Sequence, residues 1–513
     1  MTLHEVIERW AQLQADKTAV HFQGEDISYA ELAKRVARTS EALVEQLRIG
    51  AGDRVAYLGY NRPEMLELLF ALARIGAMFV PLNFRLALAE HQDILRHADA
   101  KAIFVDAEFN KTVESLRPTL PSLQVTAIED LRRWGSTALA RPVRMMGREQ
   151  APVLLVYTSG TTGRPKGVVH TQEGLIWNAV NATHCHDLTG DDHVLTVLPM
   201  FHVGGLCIQT VPALHAGATV TLHERFDPGR WIADVTQRKP TLSLLVPATI
   251  KAIVEHPGWS QADLSSLRAV FTGSSTIPPS LFPHFHTRGI PLGQVYGATE
   301  TGPVSIYLRA ADALRKVGSA GNAALHCNVR LVGDDGSDVV PGQVGEIQIR
   351  APNVMQGYWK DPHNVAFEQG WFKTGDLARR DEEGFYWVVG RSKDMIISGG
   401  ENIYPAEIEH VLAMCEDIIE SAIVGVPDER WGEVAVAVIV KRSSSALDEM
   451  ATRKLFEGRL ARFKHPRRVV FVDALPKSAL GKVLKADLQR ELARTPAISI
   501  TRSDGQAMRL PEK

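Results

Sequence analysis

Short apolar runs recur through the first half of the chain, each about the length of one strand: DRVAYLG (53–59), VLLVY (153–157), HVLTVL (193–198), ATVTL (218–222) and LSLLV (242–246). Helical patterns separate several of them. ISYAELAKRVARTSEALVEQL (27–47) repeats apolar residues at helical spacing behind Ser28, a suitable N-cap. Strands alternating with helices predict an α/β protein with substantial parallel sheet. The most apolar stretch, MLELLFALARIGAMFVPLNF (65–84), is interrupted by Glu67, Arg74, Gly76 and Pro81. It reads as a buried helix running into a strand, too broken to span a membrane.

At 513 residues the chain is too long for one core and divides into two or more domains. From 326 to 350 the pattern changes to short strands broken by DDG and PG turns, which predicts a small β-rich subdomain. A further break falls at GRSKDMIISGGENIYP (390–405). The last 110 or so residues carry their own α+β pattern: a helix over 405–415, strands near 420–426 and 434–441, a helix over 450–462, and a last helix from Leu484. The tail after Pro496 is polar.

Bulk properties exclude several classes. With 45% apolar and 23% charged residues and a formal net charge of -2, nothing draws the chain toward nucleic acid. Cys185, Cys207, Cys327 and Cys415 lie far apart, without metal or disulfide spacing, and suit a reducing cytoplasm. The charged N-terminus lacks the apolar centre of a signal peptide. No transmembrane segment is expected. The basic run RPVRMMGR (141–148) is compatible with peripheral membrane contact and equally with a solvated loop.

Four stretches carry chemistry. VYTSGTTGRPKG (156–167) packs hydroxyls, glycines and cations behind an apolar strand. Its register fails the Walker pattern, and Pro165 opposes a helix start inside it. What remains is a flexible cradle in which backbone N–H groups, hydroxyls and Lys166 meet phosphate oxygens. In YGATETG (296–302), Glu300 is a carboxylate suited to Mg²⁺, Thr299 can donate to a phosphate, and Tyr296 offers a flat face to a base. In WFKTGDLARRDEEGFYWVVGRSKD (371–394), Asp376 can accept both hydroxyls of a ribose, and Arg391 can bind a phosphate or ribose oxygen. LPKSALGKVLK (475–485) sets Lys482 just after a glycine, with Lys477 and Lys485 nearby; taken alone it reads as a solvated basic patch. Other signals fail: HCHDLTGDDH (184–193) has no recognised zinc spacing, GAGDRV (50–55) lacks a third dinucleotide glycine, and no G-x-S-x-G elbow occurs.

Taken in order, YTSGTTGRPKG, PMFHVGG (199–205), YGATE, GEIQIR…GYW (345–359), GWFKTGD, GRSKDMIISGGENIYPAEIE and LPKSALGK resemble the AMP-forming acid–CoA ligase family of the adenylate-forming superfamily, over residues 20 to 490. The resemblance implies a large N-terminal domain of α/β subdomains over 1–390, with a β-rich subdomain at about 320–390. It further implies a hinge at 391–394 around Lys393, and a mobile α+β domain over 395–513. It implies ATP, Mg²⁺ and coenzyme A as cofactors and a two-step reaction. A carboxylate attacks the α-phosphate to give acyl-AMP and pyrophosphate; the thiol of CoA then displaces AMP. By the same resemblance, Thr158, Ser159, Gly160, Thr161, Thr162, Gly163 and Lys166 cradle pyrophosphate. Gly273, Ser274 and Tyr296 frame adenine, Thr299 touches the α-phosphate, Glu300 holds the metal, and Asp376 and Arg391 hold ribose. Lys482 is similar to the catalytic lysine that bridges the attacking carboxylate and the α-phosphate. Ser398, Gly399 and Gly400 line the pantetheine path, and Trp431 and Phe463 match positions that contact the CoA nucleotide, a buried core aromatic being the other reading of each.

Family position places His202, Val203, Gly204, Val246, Gly297, Ala298 and Val304 around the acid, with His202 gating the pocket or packing beside the carboxylate. These residues supply no cation for a second carboxylate, and FHVGGL (201–206) lacks the aspartate that holds an amino group. An apolar monocarboxylic acid is expected, the pattern favouring fatty acids over benzoate- or cinnamate-type acids. An acyl-AMP ligase serving a carrier protein is the further alternative. Monomer and homodimer are both compatible with the sequence.

Overall fold

The computed structural model describes residues 1–134, 147–158, 165–273, 277, 279–361, 366–398, 401–428, 431–477 and 483–494. The chain packs as two compact units. Met1–Ser274, Phe285–Val329 and Ile349–Lys373 make the first; Ser275–His284, Arg330–Gln348 and Thr374–Lys513 make the second.

Two sheets organise the first unit. Among the described residues one has seven strands, in the order Gly357–Tyr358, Lys166–Thr171, Pro152–Thr158, Met78–Pro81, Arg54–Leu58, Ala102–Val105 and Gln124–Ala127. Its last five strands run parallel, and the first three pair antiparallel. The other has nine, with Leu292–Tyr296, Ala269–Gly273, Leu242–Leu245, His193–Thr196, Thr219–Leu222 and Thr18–Phe22 parallel at its centre. Antiparallel strands close both of its edges. The expected α/β architecture is therefore present, and the short apolar runs are its central strands. Strands covered on both faces need no polar alternation, so they read as unbroken apolar words.

The apolar stretch at 65–84 forms the helix Pro63–Ile75 and the strand Met78–Pro81, turned by Gly76 at φ 76°. Every residue of that helix except Arg74 is buried, as expected for a helix apolar on all sides. Ser28 caps the helix Tyr29–Gln46, its hydroxyl accepting from the Glu31 N–H at 3.2 Å.

The buried helix Pro63–Ile75 also carries two carboxylates. Glu64 is fully buried but paired, with Arg62 at 3.1 Å and Arg132 at 2.5 Å. Glu67 lies 3.6 Å from Arg35, and among the described residues its Oε1 makes no hydrogen bond. Burial raises the Glu67 carboxyl to about 7, with Glu64 adding to the shift and Arg35 opposing it. Between pH 4.5 and 7 the folded chain keeps a proton that the unfolded chain has lost. This contribution to stability is full below pH 4.5 and is lost as pH rises through 7. Glu67→Gln cannot ionise. The melting temperature of the wild type, relative to that of the variant, is expected to fall by about 5 °C between pH 5 and pH 8. Scanning calorimetry of both proteins checks this; parallel pH profiles would refute it.

In the second unit, Ile418–Asp428 and Gly432–Lys441 form a long antiparallel pair, extended by Ile396–Ser398, Glu401–Ile403 and Arg468–Phe471. The two faces of this sheet carry separate cores. Ala422, Val424, Val426, Val436 and Val438 face Leu488 and Leu492 of the helix Lys485–Arg494. The intervening Ile423, Ala435, Ala437 and Ile439 face Ile408, Val411 and Leu412 of the helix Pro405–Leu412. Period-two alternation of apolar residues on both faces is what a sheet covered on both sides requires. One expectation fails: the helix foreseen over 450–462 ends at Lys454. Phe456 is drawn into the core, and Gly458 takes φ 72°, a left-handed turn that stops the helix. Between 324 and 391 the described residues form strands and turns without a helix, as the DDG and PG signals indicate.

Candidate active site

Parallel strands release their chains at one edge of a sheet, and in open α/β sheets that carboxyl edge is where ligands bind. Four adjacent strands of the nine-stranded sheet end just before sequence-predicted residues. His202 follows His193–Thr196, Val246 follows Leu242–Leu245, Gly273 ends Ala269–Gly273, and Tyr296 ends Leu292–Tyr296. Residues scattered between positions 202 and 296 thus share one edge.

The turn after Tyr296 is tightly held. Thr299–Thr301 make one 3₁₀ turn, closed by the Thr301 N–H to the Ala298 carbonyl and by the Ala298 N–H to Thr301 Oγ1 at 2.9 Å. Outside groups take up its carbonyls. His170 Nε2 lies 2.8 Å from the Thr299 carbonyl, and the Met355 N–H donates to that of Glu300. Asn353 Nδ2 donates to the Thr301 and Val304 carbonyls at 2.8 and 3.3 Å. Asn178 joins two walls, its Oδ1 accepting from the Val304 N–H and its Nδ2 donating to the Cys207 carbonyl at 2.6 Å. Burial lowers the His170 imidazole to about 4, so it is neutral and donates from Nε2.

His202 caps the short helix Val203–Gly205, its Nδ1 accepting from the Gly204 N–H at 3.0 Å. Burial lowers this imidazole to about 4 as well, so the neutral ring keeps its proton on Nε2. Val203 and Gly204 are buried, and a π turn, Leu206–Thr210, follows. Ile208 Cδ1 stands 3.7 Å from where a Cβ on Gly273 would lie.

Thr158 and Lys166 face each other as the last registered pair of the strands Pro152–Thr158 and Lys166–Thr171. They hold the two ends of the glycine/hydroxyl loop. Ser159, Gly160, Thr161, Thr162 and Gly163 lie outside the described residues, as do Ser274, Gly399, Gly400 and Lys482. The Lys166 ammonium sits 4.7 Å from the centre of the Tyr358 ring, and the Tyr358 hydroxyl donates to Glu300 Oε1 at 3.0 Å.

The second unit holds the remaining candidates. Asp376 and Arg391 are registered partners on adjacent strands, with Arg391 Nε donating to Asp376 Oδ1 at 2.7 Å. Gly375, at φ 70° within the strand Trp371–Arg380, donates to Glu346 Oε1, which anchors the strand just before Asp376. Lys393 is exposed in the 3₁₀ turn Ser392–Asp394. Ser398 is the registered partner of Gly432. The Arg467 guanidinium lies over the Trp431 ring at 4.9 Å. Phe463 is 45% exposed and has the Lys464 ammonium 5.8 Å from its ring, so it is no core aromatic.

The donor set decides what ion the first unit suits. Among the described residues no three His, Cys, Asp or Glu side chains converge, so no all-protein cage exists. One half-buried carboxylate, Glu300, is what Mg²⁺ asks for when phosphates and water supply its other ligands. Sequence reasoning left Tyr358, His170, Asn178 and Asn353 without roles. His170 was detectable as a lone imidazole in the strand KGVVHT, and Tyr358 stood inside the GYW motif.

Known proteins match along nearly the whole chain. A family model described as AMP-binding enzyme covers residues 7–359, and one described as AMP-binding enzyme C-terminal domain covers 407–482. An indoleacetate–CoA ligase of Aromatoleum aromaticum is 50% identical over 506 residues, which is 96% of this chain and 99% of the relative. A feruloyl-CoA synthase of an Amycolatopsis species is 42% identical over 488 residues, 94% and 97% of the two chains. The solved Mycobacterium tuberculosis fatty acyl CoA synthetase is 31% identical, covers 96% of this chain and 98% of its own, and superposes with a TM-score of 0.78.

Proposed function

The chain belongs to the AMP-binding enzyme family, and from that premise we propose that it activates an apolar aromatic monocarboxylic acid of the arylacetate or arylpropenoate type. The coarser activity is that of the family: ligation of a carboxylic acid to coenzyme A through an acyl-adenylate, with ATP, Mg²⁺ and CoA as cofactors. In the first step the loop anchored by Thr158 and Lys166 receives the pyrophosphate, Thr299 donates to the α-phosphate, and Tyr296 and Gly273 border the base. Glu300 would hold Mg²⁺, which when bound neutralises charge on the phosphates. Asp376 and Arg391 take the ribose, and the Lys482 ammonium meets charge developing between the carboxylate and the α-phosphate. For the second step Lys393 is the proposed pivot; Ser398 would border the pantetheine arm, and Trp431 and Phe463 the CoA nucleotide.

The observation that carries the choice of acid is the makeup of the wall after the four strand ends. His202 is neutral, Val203, Val246 and Val304 are apolar, and Gly204, Gly297 and Ala298 are small. Such a wall offers no partner to a second carboxylate, and its residues are apolar or small, as an uncharged ring requires. The relatives at 50% and 42% identity are named for aryl acids, which moves the reading from the fatty acid favoured by motif pattern to the aryl alternative. A fatty acid is the second reading, supported by the 31% identical fatty acyl CoA synthetase.

The test is pyrophosphate release from Mg·ATP over indoleacetate, phenylacetate, ferulate, cinnamate, benzoate, laurate and palmitate, with and without CoA. The best aryl acid is expected to exceed the best fatty acid at least ~10-fold in kcat/KM, the discrimination available from a few methylene-sized differences in a pocket. Laurate or palmitate in front would establish the second reading. Turnover indifferent to CoA would point to a carrier protein as the acyl acceptor.

A further inference from the structure

Tyr358 touches both charged groups that flank the proposed phosphate site, and neither contact is explained by packing alone. Its strand, Gly357–Tyr358, is the edge of the seven-stranded sheet, with Tyr358 registered against Val168. From there the hydroxyl reaches Glu300 Oε1 at 3.0 Å, while the ring face lies 4.7 Å from the Lys166 ammonium. The Glu300 backbone is held separately, its carbonyl accepting from the Met355 N–H at 2.8 Å. A glutamate on so short a turn still has side-chain torsions to restrain, and the Tyr358 hydroxyl supplies a contact that does so.

We propose that Tyr358 is a positioning residue for the metal-bound nucleotide. Its hydroxyl donates to Glu300 Oε1 and so fixes the carboxylate that would hold the ion, and its ring holds the Lys166 ammonium beside it. The proposal rests on the assignment of Glu300 as the Mg²⁺ ligand. A phenol at neutral pH is a donor toward a carboxylate, so the hydrogen bond orients the group without cancelling its charge. Groups that orient a metal ligand in this way typically contribute 10- to 100-fold in metal affinity. The ring contact is a cation–π interaction, which holds an ammonium without neutralising it, so the charge remains available to an arriving phosphate. One side chain thereby couples the position of the anion that binds the metal to that of the cation that binds the phosphate.

Two variants separate the two contacts. Tyr358→Phe keeps the ring and removes the hydroxyl; Tyr358→Leu removes both. Mn²⁺ affinity in the presence of a non-hydrolysable ATP analogue, read by electron paramagnetic resonance, is expected to fall ~10-fold in both variants. The KM for ATP at saturating Mg²⁺ should stay within about twofold in Tyr358→Phe and rise several-fold in Tyr358→Leu. Thermal melts run alongside establish that both variants are folded. Mn²⁺ affinity in folded Tyr358→Phe within twofold of wild type would overturn the proposal. Glu300→Gln is the control for its premise: if that variant also binds Mn²⁺ normally, the metal assignment of Glu300 fails and the role of Tyr358 falls with it.

Discussion

Replacing Lys482 by alanine is expected to slow acyl-adenylate formation ~10²–10³-fold, the usual consequence of deleting a charge-stabilising group from a transition state. Thioester formation from supplied acyl-AMP and CoA should fall much less, because that step has no attacking carboxylate to neutralise. The role of Lys482 is the one the family resemblance implies. Of the three lysines in LPKSALGKVLK, Lys477 is tied to Glu420 at 2.5 Å and Lys485 to Glu409 at 2.7 Å. Lys477 is further fixed by its bridge to Val483. Two of the three cations thus have carboxylates of their own within the second unit, which leaves a solvated basic patch as a poor description of the segment. Lys477→Ala should therefore leave both half-reactions within a few-fold of wild type. Rapid-quench measurement of acyl-AMP, paired with a thiol-consumption assay starting from acyl-AMP, resolves the two steps. Survival of adenylation in Lys482→Ala would move the catalytic role elsewhere.

Legibility in the sequence followed the physics of each element. Central strands such as Leu242–Leu245 and Met78–Pro81 are buried at every position, so they stood out as apolar runs. The helix foreseen to 462 was misread because apolar spacing continued past Lys454, whereas Gly458 and the anchoring of Phe456 ended it. The glycine/hydroxyl loop, Glu300 and Asp376 stood out in the sequence as candidates because charged and flexible residues crowd where a chain would otherwise place a plain turn. The scaffold behind them was not. Asn178 and Asn353 act through backbone carbonyls and N–H groups of Cys207, Thr301 and Val304, partners 29 to 126 residues away, and no local pattern encodes such a pairing. The identity of the acid was hidden because the residues proposed to face it are small or apolar and carry no group that names a partner.

Gly297→Ala tests that scaffold with the smallest available change. A Cβ at position 297 would lie 1.8 Å from the Pro303 carbonyl oxygen and 2.5 Å from its carbon, both backbone atoms. Real Cβ contacts keep at least about 3 Å, so the segment must move by roughly 1 Å. It has little freedom to do so. Gly302, at φ 79°, is pressed against the Asn353 carbonyl, and Val304 is held at its N–H by Asn178 and at its carbonyl by Asn353. The displacement is therefore passed to Thr299 and Glu300, which sit between the fixed points. A misplacement of that size costs on the order of 10²-fold in a reaction that depends on alignment. Adenylation is expected to fall by about that factor for every acid in the panel, large and small alike, with the folded state retained in a thermal melt. If position 297 is only part of the pocket wall, the variant will instead reject bulky acids through raised KM and process small ones normally. The two results separate a residue that shapes the acid pocket from one that holds the Thr299–Thr301 turn in place, and the 1.8 Å contact favours the second.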